Sequence, residues 1–351
     1  MPRVCARSSW SSWASDDQTG DLWHADLDGP QVTAARRPHQ VARLPCLIAL
    51  KGSVMAPKRL PLSSGTRWKI RSARYLAQSK IPHALRHQVV HLGFYNGRNF
   101  GDILSKRVTE FVLGERVVEG HYAGADLTAI GSILGVLEKW KNPHSPYIWG
   151  SGFIEEGGRW KGRDVHPVAV RGELTRERLT HMADVPLVMG DPGLLVKRLY
   201  PTLGLVEKRY DVTVIPHIRD KWSDEVRRLR KRRLRINIID AQAGPELVLE
   251  QIAASELVLS SSLHGLVCSD ALGVPNQWTP ITDGVEGSGY KFRDYYSAFG
   301  VEPEPMGLDR ALQSTEDLKA NWEPFDQIDR ICDDLVRVFP RDHLLSRYRR
   351  R

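Results

Sequence analysis

The chain has 351 residues, 41% of them hydrophobic, with 50 Lys and Arg against 42 Asp and Glu, for a formal net charge of +8. That length and composition suit a globular protein of about two ordinary domains. They leave no candidate membrane-spanning helix, since no apolar run approaches bilayer length; LPCLIAL, Leu44 to Leu50, is far too short.

Residues 1 to about 85 lack sustained periodicity. They are polar and Trp-dotted, then rich in Pro, Arg and Gly, and read as a disordered or loosely ordered extension. Arg3 and Arg7 have no apolar segment behind them, so no secretory signal is expected, and Met55 is a candidate initiator in place of Met1. From Gln88 the pattern turns α/β. QVVHLGFY is a predicted strand, and Gly101 to Leu113 a helix carrying Leu104, Val108, Phe111 and Val112 on one face, closed by Gly114. LTAIGSIL and YIWGSGF are strands with a short helix between them. HPVAV leads into a helix from Glu173 to Met182, and GDPGLL into a short helix through Tyr200.

Pro201 to Lys208 reads as a linker, after which a second series begins. It runs DVTVIPH strand, charged helix to about Arg233, INIIDA strand and GPELVLEQIAAS helix. LVLSSSLHGLVCSDALGVP then reads as strand, tight turn and helix, followed by an NQWTPI strand and helices from Tyr290 and Phe325. Alternating strands and helices imply doubly wound parallel sheets. The expected organisation is an extension over 1–85 and two Rossmann-like domains, 86–200 and 205–345.

In open α/β sheets ligands sit beyond the carboxyl ends of strands, and the chemistry-bearing residues gather there. Ser260, Ser261 and Ser262 can cap the helix opening at Leu263, whose free N–H groups suit a phosphate or carboxylate. His264 can donate or relay a proton, or can be incidental to a capped βα unit. Arg171 ends the VAVR strand and can grip an anion bidentately, or can pair with Glu173 or Glu177. His217 and Arg219 end the first strand of the second series; a polar loop is the alternative. Lys291 is a phosphate partner or surface charge. Asp102, with Asn99 behind it, complements a helix dipole or acts as a general base. Asp191 in GDPG reads first as a turn and cap residue, with a cleft role as the alternative.

Six segments in order, NFGD, GSIL with WGSGF, VRGELTRERL, GDPGLL, the LHG turn and KFRDYY, resemble the polysaccharide pyruvyl transferases from about His91 to Gly300. Many members carry Arg immediately before the LHG, where this chain has Ser262. The resemblance implies a GT-B-like cleft with the acceptor on the first domain and the donor phosphate on the second. It implies transfer of pyruvate from phosphoenolpyruvate to a sugar of an exopolysaccharide or cell-surface glycan precursor. His264 is then the proton donor and Asp102 the base. Arg171, Arg219, His217, Ser262, Leu263, Gly265, Lys291 and Asn99 are substrate contacts.

No cofactor or metal is expected. The fingerprints for dinucleotides and nucleoside triphosphates are missing, and Cys5, Cys46, Cys268 and Cys332 are scattered as reduced thiols are. The location expected is cytoplasmic, at the inner face of the membrane if lipid-linked glycan is the acceptor. The basic run Arg227 to Arg235 reads as a solvated helix face or as contact with anionic lipid; nucleic acid has no recognition motif to support it. Two other functions stay open: a glycosyltransferase using a nucleotide sugar, and a non-catalytic basic protein.

Overall fold

A computed structural model describes residues 90–94, 99–120, 122–139, 145–162, 164–183, 186–231 and 236–349. The expected extension over 1–85, Met55, Cys5, Cys46 and Arg232 to Arg235 lie outside the described residues. β1 (Val90–Gly93) is the largely buried VHLG, and α1 (Phe100–Leu113) follows. The Asn99 side chain accepts from Gly101 N–H at 3.3 Å to start α1, and Gly114, at φ 76°, ends it. Phe100, Leu104 and Val108 are buried, but Phe111 is 44% exposed. The face turned inward instead carries Ser105 and Thr109, and the Ser105 hydroxyl accepts from Ile130 N–H at 3.2 Å.

β2 (Val117–Gly120), β3 (Leu127–Thr128), α2 (Leu134–Lys139), β4 (Tyr147–Trp149), β5 (His166–Val170), α3 (Glu173–Leu179) and β6 (Val188–Met189) come next. A 3-10 turn Pro192–Leu195, α4 (Val196–Leu199) and a second 3-10 turn Pro201–Leu205 then lead onward. Among the described residues β1 to β6 form one parallel sheet in the order β2-β1-β3-β4-β5-β6.

The second series is β7 (Val212–Ile215), α5 (Asp224–Lys231), β8 (Ile236–Ile238), α6 (Pro245–Ala253), β9 (Val258–Ser260), α7 (Leu263–Leu272) and β10 (Asn276–Trp278). Helices α8 (Tyr290–Ser297), α9 (Leu308–Gln313), α10 (Thr315–Ala320), α11 (Ile328–Val338) and α12 (Arg341–Arg349) follow. The second sheet, also parallel, runs β10-β9-β7-β8. All described elements belong to one compact unit, and one apolar core includes Leu92 and Trp149 of the first sheet with Val258 and Leu266 of the second. Helix α11 does not stay with the second sheet. It packs on β6 and on the turn Pro192–Leu195, and the Trp149 indole N–H donates to the Leu335 carbonyl at 2.9 Å.

Both sheets share one topology. The first strand lies between the second and third, so strand order reverses between β1 and β3 and again between β7 and β9. Such reversals open a crevice at the carboxyl ends, where ligands bind in this class of sheet.

Candidate functional site

A cavity of about 250 Å³ lies at these two reversals. Asn99 and Asp102, which follow β1, line it from the first sheet. His217 and Arg219 after β7, Ser262, Leu263 and His264 after β9, and Lys291 of α8 line it from the second. Two expected contacts, Arg171 and Gly265, lie behind the wall.

The serines after β9 do not cap α7. Ser262 occupies the capping position but makes no side-chain bond to the helix. The Ser260 hydroxyl bonds both the N–H and the carbonyl of Ser262, at 3.0 and 2.8 Å, which makes the tight turn. The Ser261 hydroxyl accepts from His217 N–H at 2.8 Å and donates to Asp220 at 2.5 Å. Asp220 also takes the Thr282 hydroxyl, so one buried carboxylate ties the loops after β7, β9 and β10. The first-turn N–H groups of α7 are thus left without a side-chain cap at the cavity wall. Gly265 sits against the strand: a Cβ there would lie 2.3 Å from Ser260 Oγ.

The first sheet meets His264 at a second close approach. A Cβ on Gly101 would fall 2.0 Å from His264 Nδ1. The glycine of NFGD is therefore the space into which the imidazole fits, with Phe100 edge-on to the ring at 6.4 Å. Asp102, one residue on, is 5% exposed, and Gly131 of GSIL leaves room for it; a Cβ there would lie 3.1 Å from its Oδ1.

Burial governs the ionisation. It pushes the Asp102 carboxyl up to about 8, with Lys291 opposing and Asp191 adding to the rise. It pulls His264 down to about 3, aided by the charges of Lys291 and Arg171. His217 is likewise drawn to about 3 and Lys291 to about 8, burial leading in both. In the ligand-free protein at neutral pH, Asp102 therefore holds a proton and His264 does not. Lys291, read from sequence as phosphate partner or surface charge, is 6% exposed and faces the cavity as a cation.

Arg171 is fully buried and spends its donors on protein. Nε donates to Asp294 at 2.9 Å, Nη1 to Ser132 Oγ at 2.6 Å and Nη2 to the Phe153 carbonyl at 2.6 Å. Asp294 also accepts from the N–H and hydroxyl of Thr175, at 2.8 and 2.7 Å. The expected direct anion grip is thus corrected to a buried ion pair joining β5, α3 and α8. Its partner is neither Glu173 nor Glu177; Glu173 pairs with Arg176. Arg171 reaches the cavity only through Ser132, which lines it. Arg219 does face the cavity, half-exposed and paired with Glu286. Asp294, Asp220 and Glu286 were missed from sequence; the DYY of KFRDYY was the only signal for the first.

The polysaccharide pyruvyl transferase family model matches residues 99–276, about half of the chain, from the start of α1 to the start of β10. The chain is 28% identical over 218 residues to the succinoglycan biosynthesis protein ExoV of Rhizobium meliloti (strain 1021), covering 59% of this chain and 63% of that protein, less than two thirds of its length. It is 29% identical over 219 residues to the uncharacterized protein L143 of Acanthamoeba polyphaga mimivirus, covering 60% of this chain and 74% of that one. A solved structure of an uncharacterized protein from Klebsiella pneumoniae is similar with a TM-score of 0.39 at 14% identity, over 68% of this chain and 98% of the other.

Proposed function

Because this chain belongs to the polysaccharide pyruvyl transferase family, we propose that it transfers pyruvate from phosphoenolpyruvate to a sugar of an exopolysaccharide or cell-surface glycan precursor, closing a ketal on two hydroxyls. The observation that carries this reading is the small cavity where Lys291, the uncapped start of α7 and His264 meet Asp102. Its volume, about 250 Å³, lies below the usual range of roughly 300–1,000 Å³ for small-molecule pockets. That favours a compact anion over a nucleotide sugar. With this reading go two Rossmann-like domains around a GT-B-like cleft, acceptor on the first and donor phosphate on the second.

In the reaction C3 of the enolpyruvyl group gains a proton while a sugar hydroxyl adds at C2. Phosphate then leaves with the proton of a second hydroxyl, which closes the ring. Lys291 and the N–H groups of Leu263 and His264 hold the donor's negative charge, joined by Arg219 once it releases Glu286. Asn99 and Asp102 face the acceptor. A donor anion beside His264 favours its charged form and lifts its pKa from about 3, so donor binding arms the imidazole for C3. Asp102, when ionised, takes the proton of the attacking hydroxyl, and its raised pKa makes it a stronger base than an ordinary carboxylate.

The test is calorimetric. Phosphoenolpyruvate should raise the melting temperature as a ligand of the native state does, and at pH 7 its binding should take up a proton, read from titrations in buffers of different ionisation enthalpy. His264→Asn should abolish the uptake and lower transfer about a hundredfold or more. Binding without uptake would move proton delivery to Asp102, which already holds a proton at neutral pH. Stabilisation by a nucleotide sugar with no response to phosphoenolpyruvate would replace the reading with glycosyl transfer.

No described helix is long and apolar enough to cross a membrane. For a lipid-linked acceptor at the cytoplasmic membrane face, we place the membrane contact at α5 and the turn before it, where exposed Trp222 lies beside Lys221 and Arg230.

A further inference from the structure

Two buried polar atoms face one another beside the cavity, and neither has a hydrogen-bond partner. They are Nε2 of His264 and Oδ2 of Asp191, 3.9 Å apart. Leaving either unpaired costs on the order of 1–3 kcal/mol, and such atoms are rare enough in folded proteins to call for a reason. The separation is too long for a hydrogen bond. Catalytic contacts are often loose before ligand binds and tighten afterwards.

Asp191 is held rigidly. Its other oxygen accepts from Gly193 N–H at 2.8 Å, capping the turn Pro192–Leu195. That turn lies flush against α7, since a Cβ on Gly193 would lie 2.9 Å from Val267 Cγ1. On the other side Pro192 fills the space left by Gly150, where a Cβ would lie 2.1 Å from Pro192 Cδ. The turn can neither slide away from His264 nor rotate its carboxylate without breaking the cap. Oδ2 is therefore a fixed acceptor behind a histidine whose ring is wedged in front by Gly101.

We propose that Asp191 is a positioning residue for pyruvyl transfer: it holds a proton on Nε2 of His264, leaves Nδ1 for the reacting groups, and balances the imidazolium that forms on donor binding. This rests on the assignment of His264 as the proton carrier. A carboxylate behind a catalytic imidazole fixes both tautomer and ring orientation. The charged groups facing this pair are Arg171 and Asp294, Lys291, His217, Asp102 and the thiol of Cys268. Burial raises Asp191 to about 6, so its carboxylate is mostly ionised at neutral pH.

Nitrogen-15 NMR of histidine-labelled full-length protein tests this without any substrate. Wild-type His264 should show the Nε2–H tautomer at pH 7. Asp191→Asn keeps an oxygen for Gly193 N–H but presents an amide N–H to Nε2, so His264 should switch to Nδ1–H. With phosphoenolpyruvate bound, the His264 pKa should be at least one unit lower in Asp191→Asn than in wild type. In transfer assays kcat should fall tenfold or more, with KM for phosphoenolpyruvate within about threefold. An Nδ1–H tautomer in the wild type, or an unchanged tautomer in a folded Asp191→Asn, overturns the proposal. Should Asp191→Asn not fold, the wild-type tautomer alone decides. A wild-type protein with the Nε2–H tautomer that does not bind phosphoenolpyruvate keeps the positioning geometry and refutes the donor assignment instead.

Discussion

Alanine in place of Arg171 removes the cation from Asp294 where neither side chain has any solvent exposure. Breaking a buried ion pair from one side costs about 3–5 kcal/mol, mostly because the remaining charge is stranded. Two further groups lose their donor, the Ser132 hydroxyl and the Phe153 carbonyl. Asp294 keeps both bonds from Thr175, which places the loss towards the lower half of that range. At about 2–4 °C per kcal/mol for domains of about 150–250 residues, the melting temperature should drop by roughly 6–15 °C. Differential scanning calorimetry with and without phosphoenolpyruvate separates the two roles Arg171 could have. A buried tie predicts a large drop in the unliganded protein and, below the new melting point, a donor-induced shift that persists. Arg171→Lys, which keeps the charge but not the fork, should fall between. An unliganded Arg171→Ala that melts like wild type but no longer responds to phosphoenolpyruvate would refute the buried-tie argument and return Arg171 to the donor.

Gly101→Ala drives a methyl into His264 and should destabilise the protein by about 1–3 kcal/mol in urea melts, with transfer falling at the same time because the ring is displaced. Asp102 has a folded pKa raised by burial from 3.8 to about 8. The stability linked to its proton is complete below about pH 4 and is lost as pH rises through 8; Asp102→Asn should therefore gain on wild type in urea midpoints steadily from pH 4 to 8, and a constant gap would contradict the buried, protonated carboxyl. Glutamine at Arg228 and Lys231 should weaken binding to anionic vesicles in a salt-sensitive way and leave turnover on a soluble acceptor unchanged; absence of vesicle binding in the intact protein removes the membrane contact.

What the sequence disclosed and what it hid differ by range. β5 was legible residue for residue as HPVAV, and the strand, turn and helix around LHG were legible because apolar runs, turn residues and a closing glycine are all local signals. β6 is two residues long and exists only through its pairing with β5, so periodicity carried no trace of it. The α1 stripe departs from expectation at Phe111 because the inward face takes Ser105 and Thr109, the first held by the Ile130 N–H 25 residues away, which no pattern in the helix announces. Eight of the ten expected site residues line one cavity, since a strand end in a parallel sheet dictates where its loop faces. Arg171 failed for the opposite reason. Its nearby acids were visible, whereas its real partner lies 123 residues away.

The hydrogen bond from Trp149 to Leu335 spans 186 residues. At a synthesis rate of about 5–20 residues per second, the indole waits roughly 10–40 s for its acceptor to leave the ribosome. Through that interval β4, β5 and β6 lack the cover of α11 and Phe339, whose ring later meets the indole at 4.7 Å. The sheet made first is thus completed by the part of the chain made last. A nascent chain stalled before Ile328 would present an apolar surface to chaperones, and the damage from C-terminal truncation would appear first in the N-terminal sheet.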